Sequence, residues 1–288
     1  MSPFEPHANH SKFDYYTASI PRPKDFEHLI KPTIKKLLPS DTIAESCTPN
    51  KPFLDGLALV DPEILNKSKS TILKISKGGD HVNGTIQLES KGGHAPVLNK
   101  ILTESRAFFL PTRVDVAIDW FENGLFDCIA ASAIAFAQDR KKPLKIGYAG
   151  DWARGESRTL YIGSRKSEIF LRIYEKGYKA RQDGDLDAPL NWVRVEPEFK
   201  FQSFKKRMCV SGFTPSQFFQ IGWIKEFTEY LMFNTESIPL PSSYKAPDYD
   251  RALRALKRQY GKTLEKLAQD MGYDEKRFMA ALISSRVA

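Results

Sequence analysis

Residues 169–177, IFLRIYEKG, alternate apolar and polar side chains with a period of two, and two further segments of the chain do the same. A β-strand sends successive side chains to opposite faces, so such a segment can bury one face and present the other. In the first, Ile169, Leu171 and Ile173 fall on one side, with Phe170, Arg172, Tyr174 and Lys176 opposite. In TRVDVAIDW, Val114, Val116, Ile118 and Trp120 oppose Arg113, Asp115, Ala117 and Asp119. In NWVRVEPEFK, Val193, Val195 and Phe199 oppose Trp192, Arg194, Glu196, Glu198 and Lys200. Pro197 predicts a bulge or an edge in that last strand, which bears on whether Glu196 and Glu198 share a face.

If the three strands lie in one sheet, carboxylates, cations and one phenol converge on a single surface. Carboxylates without histidine suit a hard divalent ion such as Mg²⁺ or Mn²⁺. None of the five histidines forms a His-x-His pair, which argues against zinc. An ion held by acids can neutralise the charge that develops in phosphoryl transfer, with arginine and lysine orienting the phosphate. A tyrosine there can act as a nucleophile. Its ordinary pKa is about 10, so it needs a nearby cation or base to ionise, and Arg172 and Lys176 are placed to supply that field. The expected product is a phosphotyrosine linkage to nucleic acid. Each piece also has a plainer reading. Alternating Arg, Asp and Glu make an ordinary solvated face, Tyr174 can be a strand aromatic, and Gly163 can mark a bulge. Repetition at the same step on three strands favours the site.

Around these strands the chain divides into stretches of different character. Residues 1–12 are a polar tail, followed by a strand at FDYYTASI and a helix pattern at DFEHLIKPTIKKLL that Pro32 interrupts. FLDGLALV and TILKIS are strand-like, and HVNGTIQLES carries an Asn-Gly turn into another strand. HAPVLNKILTES and LFDCIAASAIAFAQDRK read as helices, and RTLYIGSR as a strand. Thr214-Pro215 opens a single helix through SQFFQIGWIKEFTEYLMF. Strand and helix alternate in the same way twice, which predicts an α+β fold of two similar halves, with a mainly antiparallel sheet and helices on one face. Residues 13–235 form the main domain, 236–250 a Pro- and Ser-rich linker, and 251–288 a small basic helical unit that binds DNA or docks on the main domain.

A net charge of +8 among 288 residues favours an anionic partner, nucleic acid before membrane. Cys47, Cys128 and Cys209 match no metal spacing and read as reduced thiols. No run approaches the roughly 20 apolar residues of a membrane span, and the first residues lack a signal-peptide core. These features predict a cytoplasmic protein.

The segments RVDVAID, TLYIGSRKSE…RIYEKG and WVRVEPEFK, in that order and spacing, resemble the replication initiation factor family, the rolling-circle initiators of the Rep_trans type found on small plasmids, integrative elements and filamentous phages. GTIQLESKGG upstream resembles a strand-and-glycine element of the same family, and the likeness covers about residues 10 to 235. It implies a relaxase-like core and an enzyme that nicks one strand at an origin, holds the 5′ end on a tyrosine, frees a 3′-OH primer and religates after synthesis. Within that likeness Tyr174 corresponds to the nucleophile, flanked by Arg172 and Lys176. Asp115 and Glu196 correspond to the acids serving a Mg²⁺ or Mn²⁺ ion, with Asp119 and Glu198 as second choices. Origin DNA, double- and single-stranded, is the implied partner, with Arg113, Arg165, Lys166, Arg194, Arg251, Arg254, Lys257 and Arg258 as candidate contacts. A homodimer and a host helicase and polymerase are also implied. The short basic C-terminal unit departs from the plasmid members. Tyr178, four residues past Tyr174, has the spacing of two-tyrosine initiators, but Gly177 intervenes. The alternative is a non-catalytic origin or single-stranded DNA-binding protein of the same fold.

Overall fold

In a computed structural model, residues 11–64, 70–231 and 264–274 are described. The chain divides into two compact units, residues 1–241 and 242–288. Of the second, residues 264–270 form a helix, and Arg251, Arg254, Lys257 and Arg258 lie outside the described residues, as does the 236–250 segment that spans the end of the first unit and the start of the second. The 1–12 tail lies outside them too, apart from Ser11 and Lys12, which open the first strand.

The first unit is built on one sheet of ten strands. They are β1 (Ser11–Ile20), β2 (Ile43–Ser46), β3 (Asp55–Val60), β4 (Thr71–Lys77), β5 (Ile86–Lys91), β6 (Leu110–Phe121), β7 (Ile146–Asp151), β8 (Glu156–Gly163), β9 (Ile169–Glu175) and β10 (Trp192–Lys200). Their spatial order is β2-β3-β4-β5-β1-β6-β10-β9-β8-β7, and every neighbouring pair is antiparallel. Counted outward from the β1–β6 seam, the first half runs first, fifth, fourth, third, second strand, and so does the second. The two halves therefore share one topology, as their matching element patterns predict.

Helix α1 spans residues 23–37 and contains a π-helical stretch, Phe26–Ile30, directly ahead of Pro32. Widening the helix there accommodates a residue with no N–H to donate. The other helices are α2 (Ala95–Ser105), α3 (Leu125–Asp139), α4 (Lys176–Gln182), α5 (Phe204–Val210), α6 (Pro215–Phe218) and α7 (Gly222–Tyr230). The single helix expected after Thr214 is instead two, because Gly222 takes a left-handed φ of 54° at the break. Helix α3 buries Leu125, Phe126, Ile129, Ala133 and Phe136, the stripe its spacing predicts. These residues join Val114, Val116, Ile118, Ile173, Val193, Val195 and Phe199 in one core on the apolar face of the sheet. At roughly 25 cal/mol per Å² of apolar surface removed from water, this layer is the main source of stability. Among the described residues, no helix is long and apolar enough to cross a membrane.

Pro197 sits in a central strand and pairs in register with Leu171 of β9. On its other side the pairing to β6 keeps one register from Val195↔Ile118 to Glu198↔Asp115, so no bulge forms and Glu196 and Glu198 share a face. Strand β9 ends at Glu175, and Lys176 begins α4 instead of continuing the strand.

Candidate active site

The face of β6, β10 and β9 opposite the apolar core carries a buried network of charge. Cross-strand pairing places Glu198 opposite Asp115, Glu196 opposite Arg172, and Arg194 between Asp119 and Tyr174. Neighbours of this kind lie roughly 5 Å apart, close enough for long side chains to bond. Asp115, Glu196, Glu198, Arg194 and Tyr174 are all buried.

Arg172 is the hub. Its Nη2 donates to Glu196 Oε1 at 2.6 Å and to Asp115 Oδ2 at 2.7 Å, and stands 3.7 Å from Glu198 Oε2. Arg113 grips Asp115 with two nitrogens, at 2.9 and 2.7 Å, and reaches Glu198 at 2.8 Å. Lys200 closes on the other oxygen of Glu198. The Tyr174 phenol donates to Glu196 Oε2 at 2.6 Å. Beside it, Arg194 binds both oxygens of Asp119, at 2.6 and 2.9 Å, and donates to Asp14 at 2.7 Å, while Lys12 meets Asp119 at 2.7 Å.

Burial dominates the titration of this group. It pushes Asp115 above the usual carboxylate range against the pull of Arg113 and Arg172. Burial, then the charge of Asp14, raises Glu196. Burial and the adjacent Glu196 carboxylate raise the Tyr174 phenol, the reverse of the lowering expected from two flanking cations. The reason is geometric: Arg172 points at carboxylates, and Lys176 lies 6.0 Å from the Tyr174 ring centroid, over its face. Lys176 itself is lowered by burial and by Arg194. Burial raises Asp119 too, but Arg194, Lys12 and Trp192 together outweigh it and hold this carboxyl low.

The carboxylate oxygens are of the kind a hard divalent ion takes. As arranged, however, they do not fit one. Both oxygens of Asp115, Asp119, Glu196 and Glu198 meet an arginine, a lysine or the Tyr174 hydroxyl. Among the described residues no three His, Cys, Asp or Glu side chains gather as an ion-binding group.

The structure thus brings together Tyr174, Arg172, Lys176, Asp115, Glu196, Asp119, Glu198, Arg113 and Arg194. Arg165 and Lys166 stand apart, exposed on the turn between β8 and β9. Tyr178 lies on α4 and lines a different hollow with Arg158, Glu175 and Asn191. Three members of the network escape the period-two reading: Lys12 and Asp14 of β1, and Tyr15, over whose ring the Arg113 guanidinium lies at 4.2 Å. Their sequence signal is faint, because a register shift between Phe13 and Tyr15 breaks the alternation. Gly177 is required by proximity: a Cβ there would stand 2.0 Å from the Pro189 carbonyl oxygen.

Comparison with known proteins follows the same segment. No curated protein matches the chain. Among solved structures, the rolling circle replication initiator protein from Geobacillus stearothermophilus is similar at 17% identity and a TM-score of 0.44, over 66% of this chain and 74% of that one. Residues 111–210 match the Rep_trans family, described as replication initiation factor. That stretch runs from β6 to the end of α5 and holds Asp115, Arg172, Tyr174, Arg194, Glu196 and Glu198, so the segment that is similar to replication initiation factors is the one that builds most of the charged network.

Proposed function

We propose that the protein is a rolling-circle replication initiator that nicks one strand of its origin through Tyr174. The observation that carries this reading is the hydrogen bond from the Tyr174 phenol to Glu196, beside Arg172, within the segment matched to replication initiation factors. In the proposed step the Tyr174 oxygen attacks the scissile phosphorus and its proton passes to the Glu196 carboxylate, which already accepts it at 2.6 Å. The bond from phosphorus to the 3′ oxygen breaks, and that oxygen takes a proton from solvent to become the 3′-OH primer. The 5′ end stays on Tyr174 until the reverse reaction closes a circle. A carboxylate raised by burial is a better base than an ordinary glutamate, which suits Glu196 to the role. In this reading Arg172, Arg113 and Arg194 turn from their carboxylates to orient the phosphate.

The resemblance implies Mg²⁺ or Mn²⁺ at Asp115 and Glu196, with Asp119 and Glu198 behind them. The mechanism above uses only the chain's own groups, since these acids are already matched by cations. Origin DNA is the proposed partner, with Arg165, Lys166 and the basic residues Arg251, Arg254, Lys257 and Arg258 adding affinity that falls with salt at a slope of about −0.9 per neutralised phosphate. A dimer and a host helicase and polymerase complete the reading.

The test is a cleavage assay on DNA carrying the element's own origin, with Mg²⁺, Mn²⁺ or EDTA, resolved on a denaturing gel. A protein–DNA adduct formed by wild type and absent in Tyr174→Phe supports the reading. An adduct that persists in the variant moves the nucleophile, with Tyr178 next in line. Salt-sensitive DNA binding with no adduct favours the non-catalytic binder.

A further inference from the structure

We propose that Tyr161 and Phe170 form a base-stacking slot for single-stranded DNA, a few nucleotides from the phosphate at Tyr174. This rests on the nicking reading above and adds to it the way the displaced strand is held. Phe170, Arg172 and Tyr174 alternate along β9 and so share the face that carries the charged network. Tyr161 of β8 pairs directly with Arg172, and Gly163 with Phe170. Phe170 is four residues from Tyr174, about 13 Å along the strand.

The Tyr161 and Phe170 rings stack at 5.6 Å with 15° between their planes. The Arg165 guanidinium caps both, at 5.5 and 5.6 Å from their centroids. A cavity of about 320 Å³ opens beside them, lined by Lys145, Gly147, Gly163, Ser164, Lys166 and these three residues. Lys145, Arg165 and Lys166 are exposed, Tyr161 is half-buried, and Phe170 is buried behind it.

The glycines show that packing alone does not explain the pair. Gly147 faces Tyr161 across β7 and β8, and a Cβ there would rest on the Tyr161 side chain at 3.6 Å without a clash. A β-branched residue would suit that strand position and cover the ring, yet glycine leaves it open. An aromatic half open beside a cavity, with planar arginine and two lysines around it, is the chemistry that binds single-stranded nucleic acid: bases stack on the ring, and cations follow the backbone. Such contacts tolerate any base, so the slot supplies grip without reading sequence.

The test uses short single-stranded oligonucleotides of mixed sequence, with 2-aminopurine at successive positions. Affinity is read by anisotropy and stacking by quenching. Tyr161→Ala should weaken binding about tenfold and abolish quenching at one position, and Tyr161→Trp should preserve both. Gly147→Val, whose Cβ would rest on the Tyr161 side chain and meet no backbone within 4 Å, should weaken binding to a similar extent and decides the matter if Tyr161→Ala fails to fold. Full affinity and unchanged quenching in both Tyr161→Ala and Gly147→Val overturn the slot and leave the nicking reading to its own adduct assay. Absence of single-strand binding by the wild-type protein overturns the slot and likewise leaves the nicking reading to its adduct assay.

Discussion

Tyr174 donates its hydroxyl proton to one oxygen of Glu196 at 2.6 Å, and Arg172 holds the other oxygen of that carboxylate at the same distance. The phenol is thus neutral beside a negative charge, and burial and that charge together raise its pKa. Glu196→Gln removes the charge, so the Tyr174 midpoint should fall. This can be followed by NMR of ¹³C-ζ-tyrosine protein, with the resonance assigned by its loss in Tyr174→Phe. An equal or higher midpoint in the glutamine variant would contradict the electrostatic account. The sign for stability follows directly. Tyr15, Tyr16 and Tyr174 all have phenols raised by burial in the folded state. Their contribution is complete below the unfolded value of about 10 and is lost as pH rises above it. Urea midpoints of the wild-type protein should therefore decline above about pH 10, and less steeply in Tyr16→Phe.

Arg172 is one cation shared among Asp115, Glu196 and Glu198. Removing one partner of a buried ionic set costs more than the set contributes, because the remaining charge stays buried. Arg172→Met should lose about 3–5 kcal/mol of stability at neutral pH. Asp115 and Glu196 are already raised by burial, and loss of Arg172 raises them further. Folded carboxyls with raised pKa favour acid, so the deficit should shrink when urea unfolding is repeated near pH 5. A deficit that does not depend on pH would point to lost packing instead.

A side chain at Gly177 collides with backbone. Its Cβ would stand 2.0 Å from the Pro189 carbonyl oxygen and 2.9 Å from Leu190 Cα. Gly177→Ala should cost about 1–3 kcal/mol, as overpacking does, and displace α4 with Lys176 from the Tyr174 ring. Gly93→Ala, where a Cβ would meet nothing within 4 Å, serves as the control and should fall within about 0.5 kcal/mol of wild type. Thermal unfolding of the two variants side by side checks this.

The four acids already have cationic or phenolic partners, so the fold does not depend on a divalent ion to hold them together. The melting temperature in EDTA should match that in Mg²⁺ without DNA. An ion bound to the native state alone would raise it in proportion to RT ln(1 + [ion]/Kd), and such a rise would sink this view.

Periodicity reveals β6, β9 and β10 because each buries one face and charges the other. It does not reveal β2 and β7, the two edges of the sheet. The IAES of β2 is exposed throughout, and IGYAGD of β7 is rich in glycine with Ile146 as its one aliphatic on the core, so neither shows an apolar stripe. Lys176 looks like a fourth strand position because α4 begins where the period-two pattern would have placed it. The contacts of Arg194 show what lies beyond local reading. Asp119 belongs to a strand already legible, whereas Asp14 is 180 residues away and arrives only through the pairing of β1 with β6. Residue types thus identify the acids, the arginines and the phenol, but the pattern alone does not say which charge neutralises which.

The order of the strands has a further consequence. Residues 111–210 begin in β6, yet β6 is a central strand only because β1 pairs with it. A chain cut to that stretch would present the remaining eleven residues of β6 as a bare edge open to pairing with other chains. It would also strand Arg194 without Asp14, and Asp119 without Lys12. The first half is thus the chaperone of the second, carried in the same molecule. Since the seam joins strands about a hundred residues apart, it should be the slow step of folding and the place where truncated forms aggregate.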